Sequence, residues 1–292
     1  MLRMYLRGGA FDSQSSTGNG AATVTGSNEA VDTTKNTVVY TGENETTTVV
    51  CKVSNSDELK NALNNNDNSI TEIDITADFT YNGSIATGDK KIVVNEGVTL
   101  TIGGSKTKIT GKFENNGTIT ITSSYECIWK AQTTGSGKIV AKNQKWGEYQ
   151  TYVDYGCVPE ENLTNCRINI VKDIDKEPTV ILPETMTVGD TITPTFTNIV
   201  NGVDLENAFK FKWENNGNTV YNGAVSPTLT KKGTLKLTVS VKKPYVMRSS
   251  SGSYGISDVS GTVKEVLLDT VFVNANSGNN NNIGNTKAAP LK

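Results

Sequence analysis

Six aromatic residues, Tyr125, Trp129, Trp146, Tyr149, Tyr152 and Tyr155, fall between positions 125 and 155 and include two of the chain's 3 tryptophans. Exposed rings stack on sugar faces while phenol hydroxyls take hydrogen bonds, so these residues point most directly to ligand binding. Burial is the competing role. The rings would then plug the open end of the repeat before them and seat the next domain, and this reading is favoured because an open end exposes a large apolar face.

Catalysis has less to draw on. Histidine is absent from the chain, which removes the commonest general base and the commonest metal ligand. Asp74, Asp78 and Asp89 share no common spacing. Polysaccharide cleavage needs paired carboxylates, or an acidic calcium cluster with a basic partner, and these three read instead as solvated strand edges and turns. No catalytic residue, metal ligand or cofactor is assigned. Cys51, Cys127, Cys157 and Cys166 show neither CxxC nor zinc-type spacing. A disulfide among them is open to an exported chain, as is a set of buried thiols. Asn-x-Ser/Thr occurs at Asn44, Asn82, Asn116 and Asn162, as chance predicts in so Asn- and Thr-rich a chain.

These residues must be positioned by β structure. Glycine is abundant at 27 residues, apolar content is 35%, and Asn and Thr recur throughout, all favouring turn-rich strands. The net charge of −2 supplies no basic field for nucleic acid or an anionic membrane. No run approaches the roughly 20 apolar residues of a membrane span. The opening "MLRMYLRGGAF" has the arginines of a signal peptide without its apolar core. Residues 1–36 read as a disordered leader of small polar residues.

"SDELKNALNNN" at 56–66 predicts a helix with Asn55 as N-cap, Glu58 at its third position, and an apolar face of Leu59, Ala62 and Leu63. A repeat follows. Ile73 and Ile92 stand 19 apart; Ile75, Val94 and Phe113 continue at that step. Tyr81, Leu100 and Ile119 do the same, with Ile139 20 further on, and Ile109 and Ile128 add another 19. Several apolar columns at one period predict stacked rungs, and Asn-Gly corners such as "YNG", "NEG" and "ENNG" supply the turns. Thr99 and Thr101 stack on Thr118 and Thr120, all outward, before Lys138 and Val140 break the array. Such threonine ranks give ice binding as a remote alternative.

The fold expected is all-β. A short β-solenoid of about 19-residue rungs with a helical N-terminal cap occupies 37–175, with an aromatic-rich interruption at 144–166. An Ig-like β-sandwich occupies 176–270, on strands that include "AFKFKWENNGNTVYNG" and "GTLKLTVSVKK". Residues 53–143 resemble the β-helical segments of large bacterial adhesin-like surface proteins, through "DELKNAL", "ITEIDITADFT", "GVTLTIGG" and "ENNGTITI". Residues 177–270 are similar to bacterial Ig-like modules, through "TVGDTITPTF", "FKWENNG" and "GTLKLTVSV". Residues 271–292, "VFVNANSGNNNNIGNTKAAPLK", are similar to the opening of a pectate-lyase-like right-handed β-helix domain, departing from it at Asn279–Asn282, where an acidic residue is common.

These resemblances imply a non-catalytic extracellular surface protein, an adhesin or spacer whose partners are host or bacterial glycans or a surface protein. The rival expectation is the non-catalytic N-terminal fragment of a larger polysaccharide lyase or glycosidase.

Overall fold

The computed structural model describes residues 5–6, 9–10, 23–25, 36–39, 48–65, 70–142, 150–187, 189–228, 233–250 and 259–267. The chain divides into two compact units, Met1–Arg167 and Ile168–Lys292. Trp146, Tyr149, Asn44 and the 271–292 segment lie outside the described residues. No helix among the described residues is long and apolar enough to cross a membrane.

The first unit opens with short strands β1 (Tyr5–Leu6), β2 (Gly9–Ala10), β3 (Thr23–Thr25) and β4 (Asn36–Val39). The first three lie in the stretch expected to lack regular structure. β5 (Thr48–Val53) leads into α1 (Ser56–Asn64). The Asn55 side chain accepts the Glu58 N–H at 3.0 Å, and Glu58 Oε2 reaches back to the Ser54 N–H at 2.7 Å. One donor that the helix start leaves open, and the N–H of the residue before the cap, are thereby satisfied. Leu59 and Ala62 are buried in the same core as the strands that follow, with Leu63 packed against it.

Those strands are β6 (Ile70–Ile75), β7 (Phe79–Asn82), β8 (Ile85–Val94), β9 (Thr99–Gly103) and β10 (Lys106–Asn115). Next come β11 (Thr118–Ile121), β12 (Glu126–Trp129), β13 (Gln132–Thr134), β14 (Lys138–Ala141), β15 (Gln150–Asp154) and β16 (Leu163–Thr164). One parallel sheet runs β7-β9-β11-β14-β16, and the other holds β5, β6, β8, β10, β12 and β15, with β13 also beside β10. Inward residues form stacked columns. Leu100, Ile119 and Ile139 are neighbours in register and each is 0% exposed. Burial on this scale stabilises by about 1.5–3 kcal/mol per large aliphatic side chain.

The expected architecture needs correction in both halves. The sheets are not closed and their steps are unequal, so they approximate a solenoid only loosely. Thr99 pairs with Thr118 and Ile73 with Ile92, as the period predicts, but Cys51 lies beside Ile73, Ile92 beside Phe113 and Ile139 beside Leu163. Val94 therefore neighbours Asn115 rather than Phe113, Leu100 neighbours Phe79 rather than Tyr81, and Ile109 neighbours Trp129 rather than Ile128. One physical cause is visible at the register shift between Thr110 and Lys112, where residues 87–90 of β8 stand opposite Gly111 alone, Gly111 takes φ +104° and the Thr87 hydroxyl accepts the Lys112 N–H at 3.1 Å. Such a bulge lengthens one strand without disturbing the alternation on either side.

The second unit takes up β17 (Arg167–Asn169) at its boundary. It continues through β18 (Thr179–Ile181), β19 (Thr185–Thr187), β20 (Thr195–Thr197) and α2 (Leu205–Ala208). β21 (Phe209–Asn215), β22 (Asn218–Tyr221), β23 (Gly233–Val241), β24 (Tyr245–Val246) and β25 (Val259–Leu267) complete it. The Ig-like sandwich is not formed among the described residues. β18 pairs with β20 in a two-stranded sheet, while β19 runs parallel to β25 at the edge of the sheet β19-β25-β23-β21-β22. Alternating apolar residues specify a strand's wet and dry faces, not its neighbour, and here consecutive strands enter different sheets. Phe196 stacks on Phe209 at 5.2 Å and meets Phe211 edge-on at 6.4 Å.

Candidate functional site

The described members of the expected aromatic platform, Tyr125, Trp129, Tyr152 and Tyr155, do not share an exposed face. Trp129 is 0% exposed; its indole N–H reaches both the Ala131 carbonyl and the Thr133 hydroxyl at 3.0 Å, and its ring lies 5.0 Å from Phe113. Tyr152 is buried on β15, and Tyr155 is half-buried in the turn beyond it. Among the described members only Tyr125 is exposed, and the Lys106 ammonium sits over its ring at 4.8 Å. A ring already covered by a cation, and others sealed inside, offer no common stacking surface.

The cysteines are buried thiols and no disulfide joins them, the second of the two states left open above. Burial pushes Cys127 and Cys157 up to about 11 and Cys166 up to about 12, where a thiol stays protonated and unreactive. The threonine register holds, Thr99 beside Thr118 and Thr101 beside Thr120, and Thr80 extends the second column. Thr120 is nevertheless only 3% exposed, so the ranks do not present a full array of hydroxyls to solvent. Asn162 is buried with its amide nitrogen on the Gly135 carbonyl at 3.1 Å, a position closed to a glycan.

Charged groups gather on the outer face of β6, β8 and β10. The Lys91 ammonium bridges Glu72 at 2.8 Å and Glu114 at 2.7 Å. Those contacts raise Lys91 above and hold Glu114 below the ordinary values. Asp74 departs from the solvated strand edge expected of it. It is raised to about 6 by burial first and then by the charge and hydrogen bonding of Glu72, against the lowering effect of Lys52 and Lys91. A carboxyl held above its unfolded value favours folding while protonated. That contribution is complete below about 3.8 and is lost as pH rises through about 6. Asp74→Asn keeps a donor toward Glu72 without the charge. It is expected to stabilise the chain at pH 7 by about 1 kcal/mol, after allowance for solvent screening, and to flatten the urea midpoint between pH 4 and 7.

The feature with the shape of a binding site lies in the second unit, where the β21–β22 hairpin ends. Asn216 and Gly217 both take positive φ, +50° and +82°, the conformation of a tight two-residue hairpin turn, which "NNG" encodes. β22 is the edge strand of its sheet, and beyond it the chain turns away at Asn222 and Gly223. A groove of about 540 Å³ opens there, with Tyr221, Asn222 and Gly223 on one side and Glu206 and Lys242 among its other lining residues. Phe209 and Phe211 close its base. Lys210, exposed between them on β21, lines it as well.

Each element of the groove is held. The buried Trp213 donates its indole N–H to the Gly223 carbonyl at 2.8 Å. Tyr221 is 47% exposed, with its ring edge against Gly223, where an added Cβ would come within 2.4 Å of Cε1. The Asn222 amide nitrogen donates to the Phe211 and Tyr221 carbonyls, each at 3.2 Å, leaving Oδ1 as an acceptor. The Lys242 N–H bonds the Ala208 carbonyl at 2.8 Å and its ammonium bonds the Glu206 carbonyl. The sequence signal for this site was the Tyr-Asn-Gly after a hairpin, which reads as one more turn until the ring's exposure is known.

No family model, curated protein or solved structure matches the chain.

Proposed function

We propose that the chain is a non-catalytic extracellular surface protein, an adhesin or spacer that presents a binding face for glycans or a surface protein. The observation that carries the reading is the construction of the first unit. Its parallel strands are bonded on both edges through β6, β8, β9, β10 and β11, with inward columns closed to solvent. Strands paired on both sides and packed on a dry core open rarely, and resistance to local opening is resistance to proteolysis. That is the property a protein needs outside the cell. The negative balance of charge suits a partner other than nucleic acid.

The test is surface labelling of intact native cells with a membrane-impermeant biotin reagent, followed by detection of the full-length protein. Labelling without lysis is expected. Recovery of the protein only from the lysed, unlabelled fraction would remove the reading. Release of reducing ends or unsaturated products from polysaccharide by the purified chain would replace it with a lyase or glycosidase.

A further inference from the structure

We infer that the groove at the end of β22 is a binding site for an acidic saccharide, a sugar ring that carries one carboxylate or sulfate, with Tyr221 as its stacking face and Lys210 and Lys242 as the partners of the anion. The inference rests on the reading of the chain as a surface binding protein and gives that reading a site and a ligand class.

The groove is the gap left where β22 stops short. β22 pairs only with residues 213–215 of β21, so residues 209–212 have no strand on that side. Residues of both faces reach an open sheet edge, and Phe209, Lys210 and Phe211 all line the gap. A peptide strand is a poor fit there. The Phe209 N–H is taken by the Leu205 carbonyl and the Phe211 carbonyl by the Asn222 amide, two of the groups an added strand would need. A compact ligand needs no such ladder, and the volume of about 540 Å³ lies within the range of small-ligand sites.

Tyr221 supplies the face for such a ligand. Tyr125 and Tyr221 are the exposed aromatic rings among the described residues, and a lysine covers only the first. The Tyr221 ring edge rests against Gly223, whose carbonyl is held by the buried Trp213. A pyranose presents C–H groups to such a ring, and a platform held in advance lowers the ordering cost of binding. Beside it, Asn222 Oδ1 accepts and the Tyr221 hydroxyl both donates and accepts, as sugar hydroxyls require.

Charge selects the class of sugar. The charged residues that line the groove are Lys210, Lys242 and Glu206, which leaves a net charge of +1. None of the three forms an ion pair with another described residue. The Lys242 ammonium is fixed on the Glu206 carbonyl, and the ammonium of the exposed Lys210 has no partner among the described residues. Two ammoniums against one carboxylate attract a single anionic group, and a neutral ring forgoes that gain. The chain as a whole stands at −2, so the positive excess is local to the groove.

The experiment is a glycan array of neutral, uronate-, sialate- and sulfate-bearing oligosaccharides probed with the purified full chain, followed by calorimetric titration of the best acidic hit. The three acidic sets identify which anion the groove takes. Tyr221→Ala is expected to weaken that binding by about tenfold, and Gly223→Ala comparably by tipping the ring. The charged lining residues should move affinity in opposite directions. Lys210→Met is expected to weaken it by about threefold and Glu206→Gln to tighten it by about threefold at low salt, and both changes should shrink in about 0.5 M salt. Lys210 and Glu206 are exposed, so thermal melts of these two variants should match the parent. Damage to the fold cannot tighten binding, so Glu206→Gln keeps the test decisive if another variant melts early. Hits confined to neutral glycans, no glycan hit at all, or equal affinity in the parent, Lys210→Met and Glu206→Gln would overturn the site. A chain labelled on intact cells that binds no acidic glycan sinks the groove while sparing the surface reading, whereas an acidic hit from a chain that is never labelled does the reverse.

Discussion

Trp129→Ala is expected to lower the free energy of unfolding by about 3–5 kcal/mol, the range for removing a large buried aromatic. The ring is fully enclosed, packs against Phe113 at 5.0 Å, and spends its N–H on Ala131 and Thr133. Alanine leaves a cavity and strips the Ala131 carbonyl and the Thr133 hydroxyl of a donor, so transfer, cavity and polar terms add. Urea denaturation followed by far-UV circular dichroism measures the loss. The natural comparison is Tyr125→Ala in the same sequence cluster, whose ring is 42% exposed and meets only a surface cation; its midpoint should shift by less than about 1 kcal/mol. Equal losses in the two variants would mean that Trp129 is not a core residue. Trp129→Phe should recover most of the packing and none of the hydrogen bonding.

Gly135→Ala is expected to cost more than about 2 kcal/mol, from two separable sources. Gly135 holds φ +92°, which an L side chain adopts only under strain. A Cβ there would also stand 2.3 Å from the Asn115 carbonyl oxygen and 2.7 Å from Asn116 Oδ1. That carbonyl already receives the Gly137 N–H at 2.7 Å, so backing away breaks the corner that places β14 beside β11. Gly156 separates the sources. Its φ is +78° with nothing within 4 Å of an added Cβ, so Gly156→Ala should show the conformational penalty alone, about 1–2 kcal/mol. If both alanines cost the same in a matched urea series, the close approach at Gly135 contributes nothing.

Local features were the legible ones. The α1 cap at Asn55, the turn at Asn216 and Gly217, and the pairing of Thr99 with Thr118 all follow from residue chemistry within a few positions or one period. Longer-range register was not legible. A uniform step assumes that every rung spends the same number of residues along its path, and β8 breaks that assumption by spending residues 87–90 opposite the single Gly111 of β10, extra length that neither apolar column reveals. In the second unit, β18 and β19 carry similar Thr-rich alternation yet join different sheets, because the pattern says which face is dry and not which strand lies alongside. The site failed to show for the same reason. Clustering in sequence drew attention to Trp129 and Tyr152, whose rings are consumed by packing, whereas Tyr221 stands alone in the sequence and matters through what lies under it. Asp74 shared that fate, its environment being made by Glu72, Lys52 and Lys91 on three adjacent strands.

The sealed thiols have a consequence for how the molecule is made. Cys127, Cys157 and Cys166 stay protonated in the fold and cross-link nothing. The native state therefore does not depend on an oxidant, and neither glutathione nor an oxidising milieu shifts its folding equilibrium through a disulfide. The chain can therefore fold in a reducing or an oxidising compartment and hold the same covalent structure in either.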